Sequence, residues 1–388
     1  MTHALTLTLP QARRALAARQ GLGRVDARPL VDVVSAIGWI PAISPATAPI
    51  ALRARGAWTG KAALAEAIER GDLLLVPGPR GMTWTVPAAE SPIARAFALA
   101  DHTSREARVA SACGLTARDL QAARDAIRRA LDTPATGPEL VARLDPATLR
   151  PLGAPGRRAG LSTVAGLVLR GLWALGEIKR VVSTTRAGEP RVTWAIDALP
   201  RVVPSAADAV DLIAARWLAA HAPVTAREFA QAFGIAAGRA AAALKPLRPV
   251  ELRVESIDDV LLAPADFALP EAAPPEGAVF LPTADPLVDA RDRLSLVCDP
   301  ARVAEAELRP VGFAPLVLVD GEAVARWSYE LGRVSVRPLG TAVAEVSPEA
   351  VAELERFVTT ELGGAAALHG EKPPRGHAML DGDVGAKG

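Results

Sequence analysis

Histidine and cysteine, the side chains that most often bind metals or act as bases and nucleophiles, number only five and two in this chain, and their spacing excludes most familiar sites. The five histidines, His3, His102, His221, His369 and His377, are scattered and show no H-E-x-x-H spacing. Two cysteines, Cys113 and Cys298, exclude a disulfide scaffold and a Cys-rich zinc site. Gly21-Leu-Gly23 lacks a third glycine and reads as a turn; there is no Walker A loop and no G-x-S-x-G element. Between Asp32 and Glu66 there is no Asp, Glu, Asn, Gln or His. Ser35, Ser44, Thr47 and Thr59 are the only uncharged polar groups there besides tryptophan, whereas Arg53, Arg55 and Lys61 make the stretch net +3. Such a segment can bind phosphates, but it has no carboxylate or carboxamide with which to hold a water.

The charge distribution points the same way. The chain has 388 residues and a formal net charge of +1, yet residues 1–100 and 101–200 each carry +5 and residues 201–388 carry −9. That split implies an N-terminal half facing a polyanion and a C-terminal half that does not. Arginines outnumber lysines 39 to 5, which suits bidentate phosphate contacts, although an Ala-, Arg- and Pro-rich composition is also what a GC-rich genome writes. Half the residues are hydrophobic, enough for real cores, and no apolar run approaches the ~18 residues of a membrane span. The N-terminal Met-Thr-His-Ala lacks a signal-peptide layout, so a cytoplasmic, nucleoid-associated protein is expected.

Periodicity predicts helices over 10–20, 29–37 and 61–70, then strands at 73–76 and 82–86 around Pro77-Gly-Pro-Arg-Gly81. Three helices followed by a hairpin is the winged-helix pattern. It returns with helices at 117–131 and 161–175, a capping box at Thr136-Gly-Pro-Glu139 and strands at 177–182 and 191–196. A third copy has helices at 207–220 and 237–244, a capping box at Thr225-Ala-Arg-Glu228 and strands near 250–255 and 259–262. A Pro-rich linker follows at 264–278, then strands at 279–281, 315–319, 322–327 and 332–336 and a helix at 347–361. The expected fold class is mainly α with β-hairpins (α+β). Its expected domains are winged helices at 1–100, 101–200 and 201–265, a small β module with a closing helix at 266–362, and a disordered tail at 363–388.

Several short motifs, in order, carry a resemblance. Leu9-Pro-Gln-Ala-Arg-Arg14 and Gly38-Trp39 come first, then Pro45 and Pro49-Ile-Ala-Leu-Arg-Ala-Arg55. Arg80-Gly81, Val86 and Ala88-Ala-Glu90 follow. Leu281-Pro-Thr-Ala-Asp285, Arg291-Asp-Arg293, Leu318-Val-Asp-Gly321 and Arg326-Trp327 complete the set. Over residues 5–360 this resembles the bacterial winged-helix DNA glycosylases of the AlkZ type. The resemblance implies tandem winged helices around a DNA channel and excision of alkylated or crosslinked purines, with no metal or organic cofactor. It also implies a Gln-x-Gln motif, or a variant with His or Asp, just after Gly38-Trp39. A cationic alkylpurine leaves readily, so the site needs only an oriented water and stabilisation of the sugar cation. The matching positions here read Pro41-Ala42-Ile43, and no Gln lies between Gln20 and Gln121.

Two functional readings follow. In one, the chain is a sequence-tolerant duplex-DNA-binding protein without the chemistry. In the other, it is an active monofunctional DNA glycosylase whose water is held by other groups, with Ser44 or backbone carbonyls as candidates. DNA contacts are expected at Arg53, Arg55, Lys61, Arg80, Trp84, Arg157 and Arg158. Trp84 either stacks on a base or is a buried wing residue. Arg80 either reaches a phosphate or caps a solvated turn, and Arg157-Arg158, in a Gly/Pro-rich loop, pose the same choice. Asp285, Arg291 and Arg293 are expected to form an internal ion-pair cluster with Trp327 nearby. Double-stranded DNA is the expected partner; a protein partner of the acidic half is left open.

Overall fold

The computed structural model describes residues 5–23, 28–58, 60–184, 190–196, 203–255, 257–270, 277–289, 293–298, 315–330, 332–339 and 346–362. Expectations for Thr59, Arg291, residues 271–276 of the Pro-rich linker and the segment 363–388 lie outside the described residues. Two compact units emerge among the described residues, one drawn from those up to 64 and from 210 onward, the other from those between 65 and 209. The fold is mixed α+β with small sheets.

The first unit begins with β1 (Leu5–Leu7) and α1 (Leu9–Arg19). Thr8 caps α1 in a capping box with Gln11, which satisfies two backbone N–H groups left over at the helix start. Next come α2 (Leu30–Ala36), the two-residue β2 (Ile40–Pro41) and α3 (Thr47–Arg53), and α4 (Lys61–Glu69) leads out of the unit.

The second unit opens with a hairpin of β3 (Leu73–Pro77) and β4 (Thr83–Pro87) and continues into the 22-residue α5 (Ser91–Ala112). The turn of the hairpin needs left-handed backbone at Arg80 (φ 58°) and Gly81 (φ 68°). Then follow α6 (Ala117–Ala130), α7 (Gly137–Arg143), α8 (Gly153–Ala159), α9 (Val164–Leu175), β5 (Ile178–Thr184) and β6 (Pro190–Ile196). The capping box of Thr136 and Glu139 opens α7, as its sequence predicts. Just before α7, Ala135 bridges antiparallel to Trp194 of β6, adding a third strand position to the β5–β6 hairpin. Helix α9 is buried from Val164 to Ala174 and fills the core of this unit with Leu140, Ile178 and Trp194.

The first unit resumes along α10 (Ala206–His221). It adds α11 (Ala226–Phe233), opened by the Thr225–Glu228 capping box, then α12 (Ala237–Leu244) and the hairpin β7 (Val250–Val254) and β8 (Ile257–Ala263). Val224 bridges to Leu262 of β8, repeating the arrangement around Ala135. On the other side β1 pairs parallel with β7, Leu5 opposite Leu252. A four-stranded antiparallel sheet in the order β12-β11-β10-β9 ends the unit. It comprises β9 (Ala278–Leu281), β10 (Leu316–Val319), β11 (Glu322–Glu330) and β12 (Arg333–Pro338), with α13 (Leu294–Val297) between β9 and β10. The closing helix α14 (Pro348–Glu361), capped by Ser347, packs on β12. One apolar cluster joins α1, the β7–β8 hairpin and this sheet through Leu16, Leu252, Leu261, Leu281 and Leu316. Removing this apolar area from water is the main force holding these segments together.

Candidate nucleic-acid interface

The segment that follows Gly38-Trp39 is shaped from beneath. Gly38 (φ 81°) and Trp39 (φ 77°) are both left-handed, a conformation that costs a tryptophan about 1–2 kcal/mol. Burial holds it there: the Trp39 ring is inaccessible to solvent and meets Phe233 edge-on at 6.0 Å. His221, at the end of α10, donates from Nε2 to the Ile37 carbonyl at 3.2 Å, and its ring stacks on Trp217. A Cβ at position 38 would lie 3.3 Å from that Nε2, a tight contact that, with the positive φ, favours glycine there. Burial pushes the His221 pKa well below its usual 6.5. The charges of Arg293 and Arg55 push it the same way, against the opposing hydrogen bond to Ile37, so the ring is neutral.

Beyond this turn, Pro41 is buried and Ala42, Ile43 and Ser44 are half-buried. The Ser44 hydroxyl lies 3.1 Å from that of Thr47, which also accepts the Ser44 N–H at 3.2 Å. The pair therefore stabilises the entry to α3.

Below the segment lies a buried polar network. Arg55 donates from Nη2 to Asp285 Oδ1 (2.8 Å) and from Nη1 to Asp285 Oδ2 (2.9 Å), and neither side chain is exposed. Arg55 also donates to Gln20 Oε1 (3.0 Å) and the Ala51 carbonyl (2.9 Å), while Gln20 donates to the Ala220 carbonyl (2.8 Å). Arg293 donates to the Pro223 carbonyl at 2.9 Å and pairs with Glu228 at 3.2 Å. Glu228 is the residue whose carboxylate completes the cap of α11. Three stretches distant in sequence are thus tied together by buried, oppositely charged pairs.

This placement corrects two expected DNA contacts. Arg55 cannot reach a phosphate, because its guanidinium is enclosed and bound bidentately to Asp285. Trp84 cannot stack on a base, because its ring is buried and its Nε1 donates to the Pro79 carbonyl at 3.1 Å. Arg53 is paired with Glu353 at 2.5 Å and lies over the Phe357 ring, so it locks α3 to α14. Arg80 sits at the hairpin turn, 5.9 Å from the Trp84 ring centre. Arg157 and Arg158 are exposed, and they lie on the short helix α8 instead of the expected loop. Gly160 in the left-handed region closes that helix, and Gly156 lets it turn tightly against Leu152 and the Leu161 carbonyl. Lys61 belongs to α4, and nothing further is described of its side chain. Trp327 is buried and donates from Nε1 to the Leu281 carbonyl at 2.8 Å. The expected partners Asp285 and Arg293 lie in the same buried region, each with a counter-charge from another segment.

Gln20, His221 and Glu228 are site-supporting residues that sequence reasoning missed. For Glu228 the capping box was a signal; for the other two there was none. Among the described residues no group of three or more His, Cys, Asp or Glu side chains could hold a metal ion, and no helix is long and apolar enough to cross a membrane.

Helix-and-hairpin segments, small sheets and, in the first unit, a buried ionic network define an α+β protein. The sequence profile of the DNA glycosylase AlkZ-like family matches residues 34–360, and the chain belongs to this family. Among solved structures it is similar to the Streptomyces sahachiroi DNA glycosylase AlkZ, with a TM-score of 0.66 and 19% identity over 94% of this chain and 99% of that one. At that identity the likeness establishes the fold. No curated protein sequence matches the chain.

Proposed function

We propose that this member of the family binds duplex DNA with little sequence preference and has lost the hydrolytic step. The observation that carries the reading is the segment Pro41–Ala46. Where the family resemblance places water-holding side chains, it offers only the Ser44 hydroxyl, already engaged with Thr47. An oxocarbenium-like transition state needs an oriented water and an electrostatic partner, and a Pro-Ala-Ile sequence supplies neither.

Three features support the binding half. The α6–β6 and α10–β8 segments each have the helix and hairpin order of a winged helix, with a single bridging residue in the place of its first strand (Ala135 and Val224). We read α2–β4 as a further copy, which gives three tandem modules. The exposed positions of α12, the recognition-helix position of its module, are Ala237, Gly238, Ala241 and Ala242. Such a face has no side-chain donor or acceptor for base edges, as a sequence-tolerant binder requires. The basic residues concentrate in the N-terminal half of the chain.

The test is fluorescence anisotropy of an undamaged duplex across a salt series. Binding of about 10⁻⁴–10⁻⁶ M at physiological salt, tightening steeply as salt falls, is expected for contact with backbone phosphates. A flat salt dependence, or no binding at low salt, overturns the reading. A nucleoid-associated cytoplasmic protein is the corresponding location.

A further inference from the structure

The acids of α5 and α6 are committed within the second unit. Glu106 binds Arg124 through both oxygens at 2.6 and 2.7 Å and accepts from His102 at 3.1 Å. Asp101 pairs with Arg105 at 2.6 Å. Asp125 pairs with Arg128 at 2.7 Å, and that arginine also binds Glu177 at 2.6 Å. Asp119 accepts the backbone N–H (2.8 Å) and hydroxyl (2.7 Å) of Thr116, which hold its carboxyl below the usual range; Arg150 and Arg118 act on it in the same direction.

Against this background two arginines stand apart. Arg108, on α5, and Arg158, on α8, line one cavity of about 270 Å³ with Val109, Ala112, Pro155 and Ala159. Both are exposed, and neither guanidinium has an ion-pair or hydrogen-bond partner among the described residues. The lining contains no carboxylate.

The frame that presents them is firmly made. Helix α8 spans a loop whose base is closed by the Pro151–Thr163 bridge and by the hydrogen bond from Leu152 N–H to the Ser162 carbonyl at 2.9 Å. Cys113 Sγ donates to the Leu152 carbonyl at 3.4 Å, fastening that loop to the end of α5. Between Leu149 and Gly160 there are three arginines (Arg150, Arg157 and Arg158) and no acid.

We propose that this cavity between α5 and α8 is a phosphate subsite in which Arg108 and Arg158 clasp one phosphate group from opposite walls, and that a duplex backbone supplies it. Two like charges facing one concavity without a counter-charge repel each other, and a phosphate oxyanion both screens them and accepts bidentate guanidinium hydrogen bonds. A polyanion is favoured over a small phosphate ester because further exposed positive charge adjoins the pair in the same acid-free loop, at Arg157 on α8, next to Arg158. The duplex as source rests on the function proposed above; the phosphate chemistry of the cavity does not.

The test uses the full chain with Arg108→Ala, Arg158→Ala and both together, and Arg337→Ala as a charge-removal control on β12. Duplex binding is measured across a salt series. The double variant should bind more weakly on every duplex sequence, with the slope of log K against log salt reduced by about 0.9 for each phosphate no longer neutralised. Unchanged affinity and slope in the double variant overturn the proposal. Should the unmodified protein bind no duplex, inorganic phosphate is titrated while the arginine side-chain resonances are followed by NMR. Phosphate shifts that vanish in the double variant then keep the subsite and assign it to a free phosphate, and absence of shifts overturns the subsite as well.

Discussion

Replacing Asp285 with alanine should destabilise the first unit severely. Asp285 neutralises Arg55 in a place that water does not reach, and provides two of the four hydrogen-bond acceptors of that guanidinium. Its Oδ1 also accepts the Leu287 N–H at 3.0 Å. The variant leaves a buried cation with only Gln20 and the Ala51 carbonyl as acceptors. Breaking a buried pair from one side costs about 3–5 kcal/mol, far above the ~1 kcal/mol ceiling of an exposed bridge. For a unit of this size, that corresponds to a fall in Tm of about 6–20 °C. Calorimetry and urea unfolding of the purified variant measure it. A second variant, Arg55→Met with Asp285→Leu, removes both charges and should regain most of the stability, because a well-packed apolar pair avoids the desolvation penalty. A destabilisation below about 1 kcal/mol for Asp285→Ala would refute the enclosed, energetically coupled pair.

Other outcomes follow from the same structure. Because the buried His221 ring stays neutral while the unfolded imidazole takes up a proton below about pH 6.5, its contribution is complete above that pH and falls away below it. The slope is at most about 1.4 kcal/mol per pH unit. Urea midpoints measured from pH 7.5 to 5 should flatten in His221→Gln, and an unchanged slope would exclude His221 as the source. A Cβ in Gly156→Ala would meet Leu152 Cβ at 2.3 Å and the Leu161 carbonyl at 2.5 Å, so a destabilisation of about 1–3 kcal/mol is expected by thermal unfolding, and a neutral result contradicts the tight turn. Thr225→Ala removes the cap of α11 and should cost about 0.5–2 kcal/mol in urea unfolding. Ser44→Ala should leave duplex affinity unchanged by anisotropy, since that hydroxyl serves the entry to α3.

What the sequence makes legible is local. Thr136–Glu139 and Thr225–Glu228 announce their helices because both halves of the cap lie within one turn, and the hairpins are framed by their own turn residues. Three-residue β1 carries too little alternation to be seen, and it exists because β7, far along the chain, provides its pairing edge. Helix α8 hides behind two glycines and a proline, whose helix-breaking tendency is overridden by the closed base of its loop. Arg55 looks like a phosphate ligand because its neighbours in sequence are basic or neutral, and the carboxylate that claims it lies 230 residues away. Trp84 offers an aromatic ring at a hairpin, and only packing decides that the ring turns inward. The missing carboxamides after Trp39 are, in contrast, readable from sequence alone, because no folding can create a side chain that is absent.

Base release is the most direct measurement. A duplex with a single N7-methylguanine is incubated with saturating protein, and free base is quantified by mass spectrometry beside a parallel binding titration. The expected result is a bound duplex from which base leaves no faster than it does spontaneously. Release above the spontaneous rate would contradict the loss of hydrolysis and show that a water is held by groups other than those at Pro41 and Ile43.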